Sequence, residues 1–459
     1  MAHIPPRQRW AAAIASAALG TDWSTAALRD RLLGLVAAAA ASSEPDTGPD
    51  REEQPGLADR LVRQIVSSVQ VTFPRAPTAS ASILIDHLEA LEPVGRLQTL
   101  LRPPPLEPVP ATMLTNRWRL ARLDSEQDLA DLLELSVPRL LWLADPQHRL
   151  SRTRPGPLHP YDRVWLRRSG RAPRLLEGPT PILKRAQRTL LEKVVGRVPV
   201  HGCAHGFVPG RSVLTHATPH VGAALVLSLD LRSFFASVSG PRVRGVFRTA
   251  GYPEPVAALL TGLTTTRTPT YALRRMPAGG SVEDRYRLRA LLRGSHLAQG
   301  APTSPALANA VAYRLDLRLH AYAARCGLAY SRYADDLAFS GAHSRESRAG
   351  ASRLVAGIAG VVAEEGFALN PGKTRVMGRA GQQRLTGVVV NERPNVTRAE
   401  HDRLRAVLHD AVRHGPDAAN REDHPDFRRH LEGRVAWVSA LNPDRGGRLA
   451  ALLRQVTWE

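Results

Sequence analysis

Apolar residues recur at helical spacing through the first hundred positions. Residues 8–41 read as helical, with "STAALRDRLLGLVAAAAA" amphipathic and Ser24 or Thr25 as its cap. The same period returns in "LADRLVRQIVSSVQV" and "SILIDHLEALEPVGRLQTLL". Two breaks interrupt it. "SSEPDTGPDREEQPG" (42–56) is a polar, acidic linker. "RPPPLEPVPAT" (102–112) excludes regular structure, because proline removes donors and fixes φ. The chain is therefore expected to carry a helical N-terminal extension, 1–101, a proline-rich linker, 102–112, and a larger body beyond.

From 113 the periods mix. "SEQDLADLLELSVPRLLWLA" predicts two short helices, the first opened by Ser125 with acidic residues in its first turn. "YDRVWLRRSGRAPRLLEGP" predicts a hairpin turning at "SGRAP", and "TPILKRAQRTLLEKVVGRV" a helix. "AALVLSLDLRSFFASV" opens with a β run, "YSRYADDLAFSG" predicts a second hairpin, and "QRLTGVVVN" a further β run with a glycine inside it. The tail, from "TRAEHDRLRAVLHDAVRHG" onward, is helical and basic. Strands separated by helices give an α+β body with an antiparallel sheet, and no internal repeat is visible.

Charge changes the picture. Lys plus Arg number 62 against 42 acidic residues, a net charge of +20, and most of the excess is arginine. A GC-rich genome would account for Arg over Lys, but not for base over acid, so a polyanionic partner is expected. A hydrophobic share of 43% over 459 residues excludes a disordered chain and allows two or three domains. The two cysteines, Cys203 and Cys326, lie in no Cys-x-x-Cys or Cys/His cluster, which argues against structural zinc and fits idle thiols in a reducing cytoplasm. No apolar run is long enough to span a membrane. "MAHIPPRQRWAAAIASAALG" has a leader's basic start, but its apolar part is short and mostly alanine, so it reads as a first helix.

The candidate chemistry lies in three aspartates. Asp230 ends the run "ALVLSLD", and Asp335 and Asp336 sit at the tip of the second hairpin. An isolated Asp-Asp pair is usually a turn. Here the flanks "LAYSRY" and "LAFSG" are β-prone, and a third carboxylate ends another strand. Rigid strand ends that present carboxylates suit Mg²⁺, which takes oxygen ligands and keeps sites open for phosphates. Two such ions can activate a hydroxyl and stabilise a leaving pyrophosphate, and they neutralise the repulsion between the carboxylates.

These residues carry a resemblance. "YADD", "SLDLRSFFASV", "QGAPTSPALAN" and "LNPGKTRV" together resemble the palm and fingers motifs of reverse transcriptases. The stretch "HGCAHGFVPGRSVLTHATPH" and the Leu385-Thr386-Gly387 of "QQRLTGVVVN" are similar to the retron branch. Six motifs in the right order, over roughly 113–400, are specific where one would not be. The resemblance implies a right-hand polymerase, with fingers and palm over 113–390 and a helical thumb over 391–459.

It also implies roles. Asp230, Asp335 and Asp336, with the carbonyl of Leu231, would hold two Mg²⁺ ions. The amides of Ser233 and Phe234 would meet the incoming deoxynucleoside triphosphate, and Phe235 would exclude a ribose 2′-hydroxyl. Strand alternation would let only one of Phe234 and Phe235 pack in the core. Gln299 and Gly300 would line the nucleotide site, Gly300 permitting close backbone approach. Arg174, with Arg167 or Arg168 in place of the usual lysine, would hold the triphosphate, and Lys373 would donate a proton to pyrophosphate. His216 and His220 fall where retron enzymes carry Asn-Ala-x-x-His, the first residue here being His. With Thr386, Gly387, Arg398 and Arg405 they are the candidate nucleic-acid contacts. A basic insertion, 267–296, precedes Gln299 and has no role assigned by the resemblance, RNA contact being one.

The implied activity is RNA-directed DNA synthesis on a cognate structured non-coding RNA, giving branched RNA–DNA (msDNA), with an effector protein in anti-phage defence. The alternatives are another bacterial reverse transcriptase, intron-like or defence-associated, or a non-catalytic RNA-binding scaffold on the same fold. Residues 1–101 show no catalytic constellation and would be an effector or a partner-docking module.

Overall fold

The computed structural model describes residues 5–19, 21, 23–41, 54–74, 81–103, 113, 118–153, 156–341 and 348–458. Of the acidic linker, 42–56, residues 42–53 lie outside the described residues and the last three instead begin helix Gln54–Thr72; most of the proline-rich stretch, 104–112, also lies outside the described residues. The chain forms two compact units: one of 1–162, 179–198 and 240–274, the other of 163–178, 199–239 and 275–459.

In the first unit, helices Pro6–Leu19, Thr25–Ala41, Gln54–Thr72, Ala81–Ala90 and Glu92–Leu100 enclose a core built on Trp10, Ile14, Leu61, Ile65, Leu84 and Leu88. The indole N–H of Trp10 is satisfied by the Leu101 carbonyl at 3.2 Å, which lets so large a side chain be fully buried. The run 8–41 is two helices, and of the two candidate caps it is Ser24 that accepts a hydrogen bond from the Ala27 amide, at 3.3 Å, and starts the second. Further along, Ser125 and Asp128 close a capping box on helix Glu126–Leu132, as the acidic first turn predicts. Helix Val137–Ala144 meets helix Glu254–Thr264 at Gly262, where a Cβ would lie 2.0 Å from the Ala144 carbonyl oxygen.

The second unit holds the sheets. Strands β1 (Tyr161–Leu166) and β2 (Arg174–Pro179), the former beginning at the boundary, make a two-stranded hairpin turning at "SGRAP". Strands β3 (Leu225–Asp230), β4 (Ala329–Tyr333), β5 (Asp336–Gly341) and β6 (Arg375–Gly378) form an antiparallel sheet in the order β4-β5-β3-β6. β3 is central and almost wholly buried, which is why it reads as an unbroken apolar run and not as an alternation. Helix Tyr313–Arg325 packs on β4, and helix Arg348–Glu364 packs on that helix. The architecture is α+β, as expected.

One element differs from its expectation. "QRLTGVVVN" is not a single strand: β7 (Arg384–Leu385) and β8 (Val388–Val389) pair across a two-residue turn. Thr386 (φ 45°) and Gly387 (φ 95°) both adopt the positive φ that a tight hairpin turn needs, so the glycine is the bend and not a flaw in a strand. Beyond it, helices Arg398–His414, Phe427–Leu441 and Pro443–Leu453 share a core with Leu385, Val388 and Val390. No helix among the described residues is long and apolar enough to cross a membrane.

Gly262→Ala drives a methyl into a backbone oxygen that neither helix can withdraw. It is expected to destabilise the first unit by about 1–3 kcal/mol, read as a lower urea midpoint at unchanged m-value.

Candidate active site

The sheet brings three carboxylates to one end. β3 stops at Asp230, which stands opposite Asp336 in the register. Tyr333 pairs with Asp336 across the β4–β5 turn, so Ala334 and Asp335 are the two connecting residues. The Leu231 amide donates to the Asp335 carbonyl at 2.8 Å, fixing that turn against the end of β3.

Their electrostatics are those of crowded anions. Asp230 is nearly buried and is met by Lys373 Nζ at 2.5 Å and Asn370 Nδ2 at 3.1 Å. The Asn370 amide also donates to the Asp230 carbonyl, at 2.8 Å. Neither of the other two aspartates has a side-chain ion pair among the described residues. Burial and the charge of Asp230 raise the Asp335 pKa, and burial with the charges of Asp335 and Asp230 pushes Asp336 up to about 6. Strand ends that hold oxygen donors at this cost fit a hard divalent cation. No three His, Cys, Asp or Glu side chains among the described residues are already gathered as a metal cage. Asp230 is instead engaged by Lys373 and Asn370.

The turn itself is strained and supported. Ala334 adopts φ 56°, which costs a residue with a Cβ about 1–2 kcal/mol. Its carbonyl accepts from Arg332 Nη1 at 3.0 Å, and the same nitrogen reaches Asn309 Oδ1 at 2.9 Å. Arg332 is fully buried and grips Asp316 with both sides of its fork, Nε to Oδ1 at 2.7 Å and Nη2 to Oδ2 at 2.6 Å. The Tyr330 hydroxyl donates to Asp316 Oδ1 at 2.8 Å. Gly206 lies against this turn, where a Cβ would come within 2.4 Å of the Ala334 nitrogen. Sequence reading missed Arg332, Asp316 and Asn309; a lone arginine inside an apolar strand was the available clue.

The β1–β2 hairpin turns its arginines unequally. Arg168 couples electrostatically to Asp230 and Asp335, and Arg174 to Asp335, whereas Arg167 is exposed. Burial, then the charges of Arg174 and Arg171, lower the Arg168 pKa. The hairpin is anchored by buried Glu177, which accepts from Arg163 Nε at 2.9 Å and pairs with His296 Nε2 at 2.7 Å. The Glu177 amide donates to the Gln299 carbonyl at 2.9 Å, and Gly300 (φ 124°) would place a Cβ 3.2 Å from the Glu177 oxygen. The close approach expected of Gly300 is thus made, in this structure, by the hairpin backbone.

The basic insertion is built into the same frame. Gly280 (φ 64°) would put a Cβ 2.4 Å from the Ala172 nitrogen in the hairpin turn, and Arg285 Nη1 holds the Gly280 carbonyl at 2.9 Å. Asp284 of the insertion pairs with Arg232 at 3.2 Å, two residues beyond Asp230.

The remaining candidates fall into two groups. Phe234 and Phe235 lie on a helical turn, Phe234–Ser237, entered through Ser233 at φ 50°, so strand alternation does not apply to them. Phe234 is nevertheless buried, while Phe235 is half-buried beside the exposed Phe207, ring centroids 6.1 Å apart. His216 and His220 are fully buried, so in this structure they offer no surface to a nucleic acid. His220 bridges Ser340 of β5 and Ser331 of β4, each at 2.7 Å, and Ser331 also meets His216 Nδ1 at 2.8 Å. Burial pushes both imidazoles down, His216 to about 3 and His220 to about 4, so both are neutral. Thr386 and Gly387 form the β7–β8 turn, and Arg398 and Arg405 are exposed on helix Arg398–His414.

Comparison with known proteins bears on this geometry. Residues 169–390 match the family model of reverse transcriptase (RNA-dependent DNA polymerase). The retron Mx65 reverse transcriptase of Myxococcus xanthus is 43% identical over 339 residues, 73% of this chain and 72% of its own. The chain belongs to the retron reverse transcriptases. The retron Mx162 enzyme of the same organism is 38% identical over 74% of this chain and 67% of its own. The retron Ec86 enzyme of Escherichia coli is 31% identical over 51% and 64%. This retron reverse transcriptase is accordingly an RNA-directed DNA polymerase that works with an RNA template and deoxynucleoside triphosphates.

Two outcomes are expected. Arg332→Met leaves Asp316 charged and buried without its partner, and should cost about 3–5 kcal/mol in a denaturant titration. With its pKa pushed up to about 6, Asp336 would have to give up a proton below that pH to any divalent cation it binds. Mg²⁺ affinity, by calorimetry, should be level above pH 7 and fall by up to about tenfold per pH unit below about 6. Without the cation the folded state holds this proton more tightly than the unfolded, so the group's stabilising contribution declines as pH rises from about 4 to 6.

Proposed function

We propose that the β4-β5-β3-β6 sheet is the palm of a right-hand polymerase, the β1–β2 hairpin its fingers element, and the helices from 391 onward its thumb. Residues 1–101 are an N-terminal extension suited to docking a partner, such as an effector protein. The observation that carries the reading is the register of Asp230 opposite Asp336, with Asp335 in the turn between β4 and β5 and the pKa values of Asp335 and Asp336 both raised by burial and then by neighbouring carboxylate charge.

Asp230, Asp335 and Asp336, with the Leu231 carbonyl, would hold two Mg²⁺ ions. Bound there, the ions would make the primer hydroxyl a better nucleophile and neutralise the leaving pyrophosphate. Arg168 and Arg174 neutralise the triphosphate, and Gln299 with the Ser233 and Phe234 amides orients it. Phe235 crowds the sugar's 2′ position. Lys373, released from Asp230, carries a proton at Nζ that can pass to pyrophosphate. His216 and His220 act as positioning residues that lock β4 to β5 through Ser331 and Ser340. Arg398 and Arg405, with the Thr386-Gly387 turn, follow the backbone of an RNA–DNA hybrid, whose near-A-form groove is read by shape.

The product is a branched RNA–DNA molecule, msDNA, copied from a cognate structured RNA in a defence role in the cytoplasm. To test this, the full chain is purified with its bound nucleic acid, which is then sequenced. A covalent RNA–DNA hybrid that disappears in Asp335→Ala/Asp336→Ala, with RNA still bound, is the expected result. RNA alone from both proteins would overturn it.

A further inference from the structure

Helices Arg398–His414 and Phe427–Leu441, with Pro416–Ala419 between them, enclose a cavity of 710 Å³. None of the candidate active-site residues lines it. Its volume lies in the range of pockets that bury a small ligand. Two acidic residues on its wall are already engaged, Asp410 with Arg421 at 3.0 Å and Glu422 with His424 at 3.4 Å. Arg403, Arg413 and Arg434 also line it, with no ion-pair partner among the described residues. Three guanidinium groups at one concavity are a receptor for a phosphate, which they match in geometry as well as charge.

A flat, aromatic surface adjoins Arg434, since Phe427 and His430 stand on the same helix, His430 one turn before it. The rings of His424 and His430 stack at 3.8 Å between centroids and 16° between planes. Phe427 lies within 12° of both planes, its centroid 6.4 Å from each. Burial and the charges of His424 and Arg434 lower the His430 pKa. His424, Phe427 and His430 are half-buried and border open volume, Phe427 also packing against the helical core. Aromatic faces beside unpaired arginines are the combination that takes a base and its phosphate together, without selecting a sequence.

We propose that this cavity takes one unpaired nucleotide of the RNA that the enzyme copies. Its base lies against the His424–His430 stack and its phosphate is held by Arg403, Arg413 and Arg434. The nucleotide must be unpaired, because neighbours in a duplex cover the faces that the rings would need. The inference rests on the RNA-directed activity and not on the assignment of the metal site.

The test uses the full chain and a single-stranded RNA heptamer with 2-aminopurine at its centre. Binding should quench the fluorophore. His424→Ala/His430→Ala should weaken affinity about tenfold and remove the quench, whereas His430→Phe, which keeps a ring, should retain both. Arg413→Gln/Arg434→Gln should flatten the salt dependence of binding, by about 0.7 in log–log slope for each phosphate that is no longer neutralised. Asp335→Ala/Asp336→Ala should lose polymerisation and keep the quench, which separates this site from the catalytic one. Melting curves confirm that each variant is folded, and the arginine pair carries the test if the histidine pair is not. The proposal is overturned by an unchanged quench and affinity in the histidine variant. It is equally overturned if an RNA duplex competes as well as the single strand, or if free AMP binds as tightly as the heptamer.

Discussion

The buried pair of Arg332 and Asp316 governs the geometry at the end of the sheet where the three aspartates meet. Three carboxylates cannot hold one another in place, since each pushes the others away. The order must come from behind them. Arg332 supplies it by committing its fork to Asp316 and its remaining nitrogen to Asn309 and the Ala334 carbonyl, so helix, strand and turn meet in one planar group. Buried ion pairs are weak evidence for stability, because desolvation offsets their attraction. What this one provides is position: it fixes a turn that an alanine would otherwise leave for a less strained conformation.

A second frame holds the β1–β2 hairpin. Glu177 is drawn to Arg163 and His296, its backbone lies along Gln299, and the turn of the hairpin is braced by the glycines of the insertion. Salt bridge Arg232–Asp284 then ties the insertion to the segment that leaves Asp230. The arginines facing the aspartates are thus carried on a hairpin with three points of attachment. The insertion, whose basic composition suggested RNA contact, contributes at least one of its acids and two of its glycines to that frame.

Much of this was legible in the chain. Asp230, Asp335 and Asp336 could be found because strand endings and a hairpin are local patterns, and carboxylates at such places are unusual enough to notice. That Arg168 and not Arg167 is coupled to the carboxylates was not legible, because it depends on which face of the hairpin turns to them. The phenylalanine pair shows a sound outcome reached by a wrong route: one packs and one stays half-open, but on a helical turn and not a strand. The histidines show the converse. Motif position suggested RNA, while burial makes them a neutral clasp between two serines, and burial is a property of the fold that no local pattern carries. Thr386-Gly387 misled for the opposite reason: flanking valines favour a strand so strongly that a turn inside them looks like an interruption.

The division of the chain has a consequence for how such a molecule can be made and altered. The first unit collects 1–162, 179–198 and 240–274, so the polypeptide passes between units five times. Neither unit is a continuous stretch of gene. Neither can be cut out, exchanged or appended by joining sequences end to end, as a bead on a string could be. During synthesis the first unit waits for residue 274, and by then the β3 strand that ends in Asp230 has already left the ribosome without β5, its partner still unmade. An apolar strand so exposed is a natural client for the cell's folding helpers.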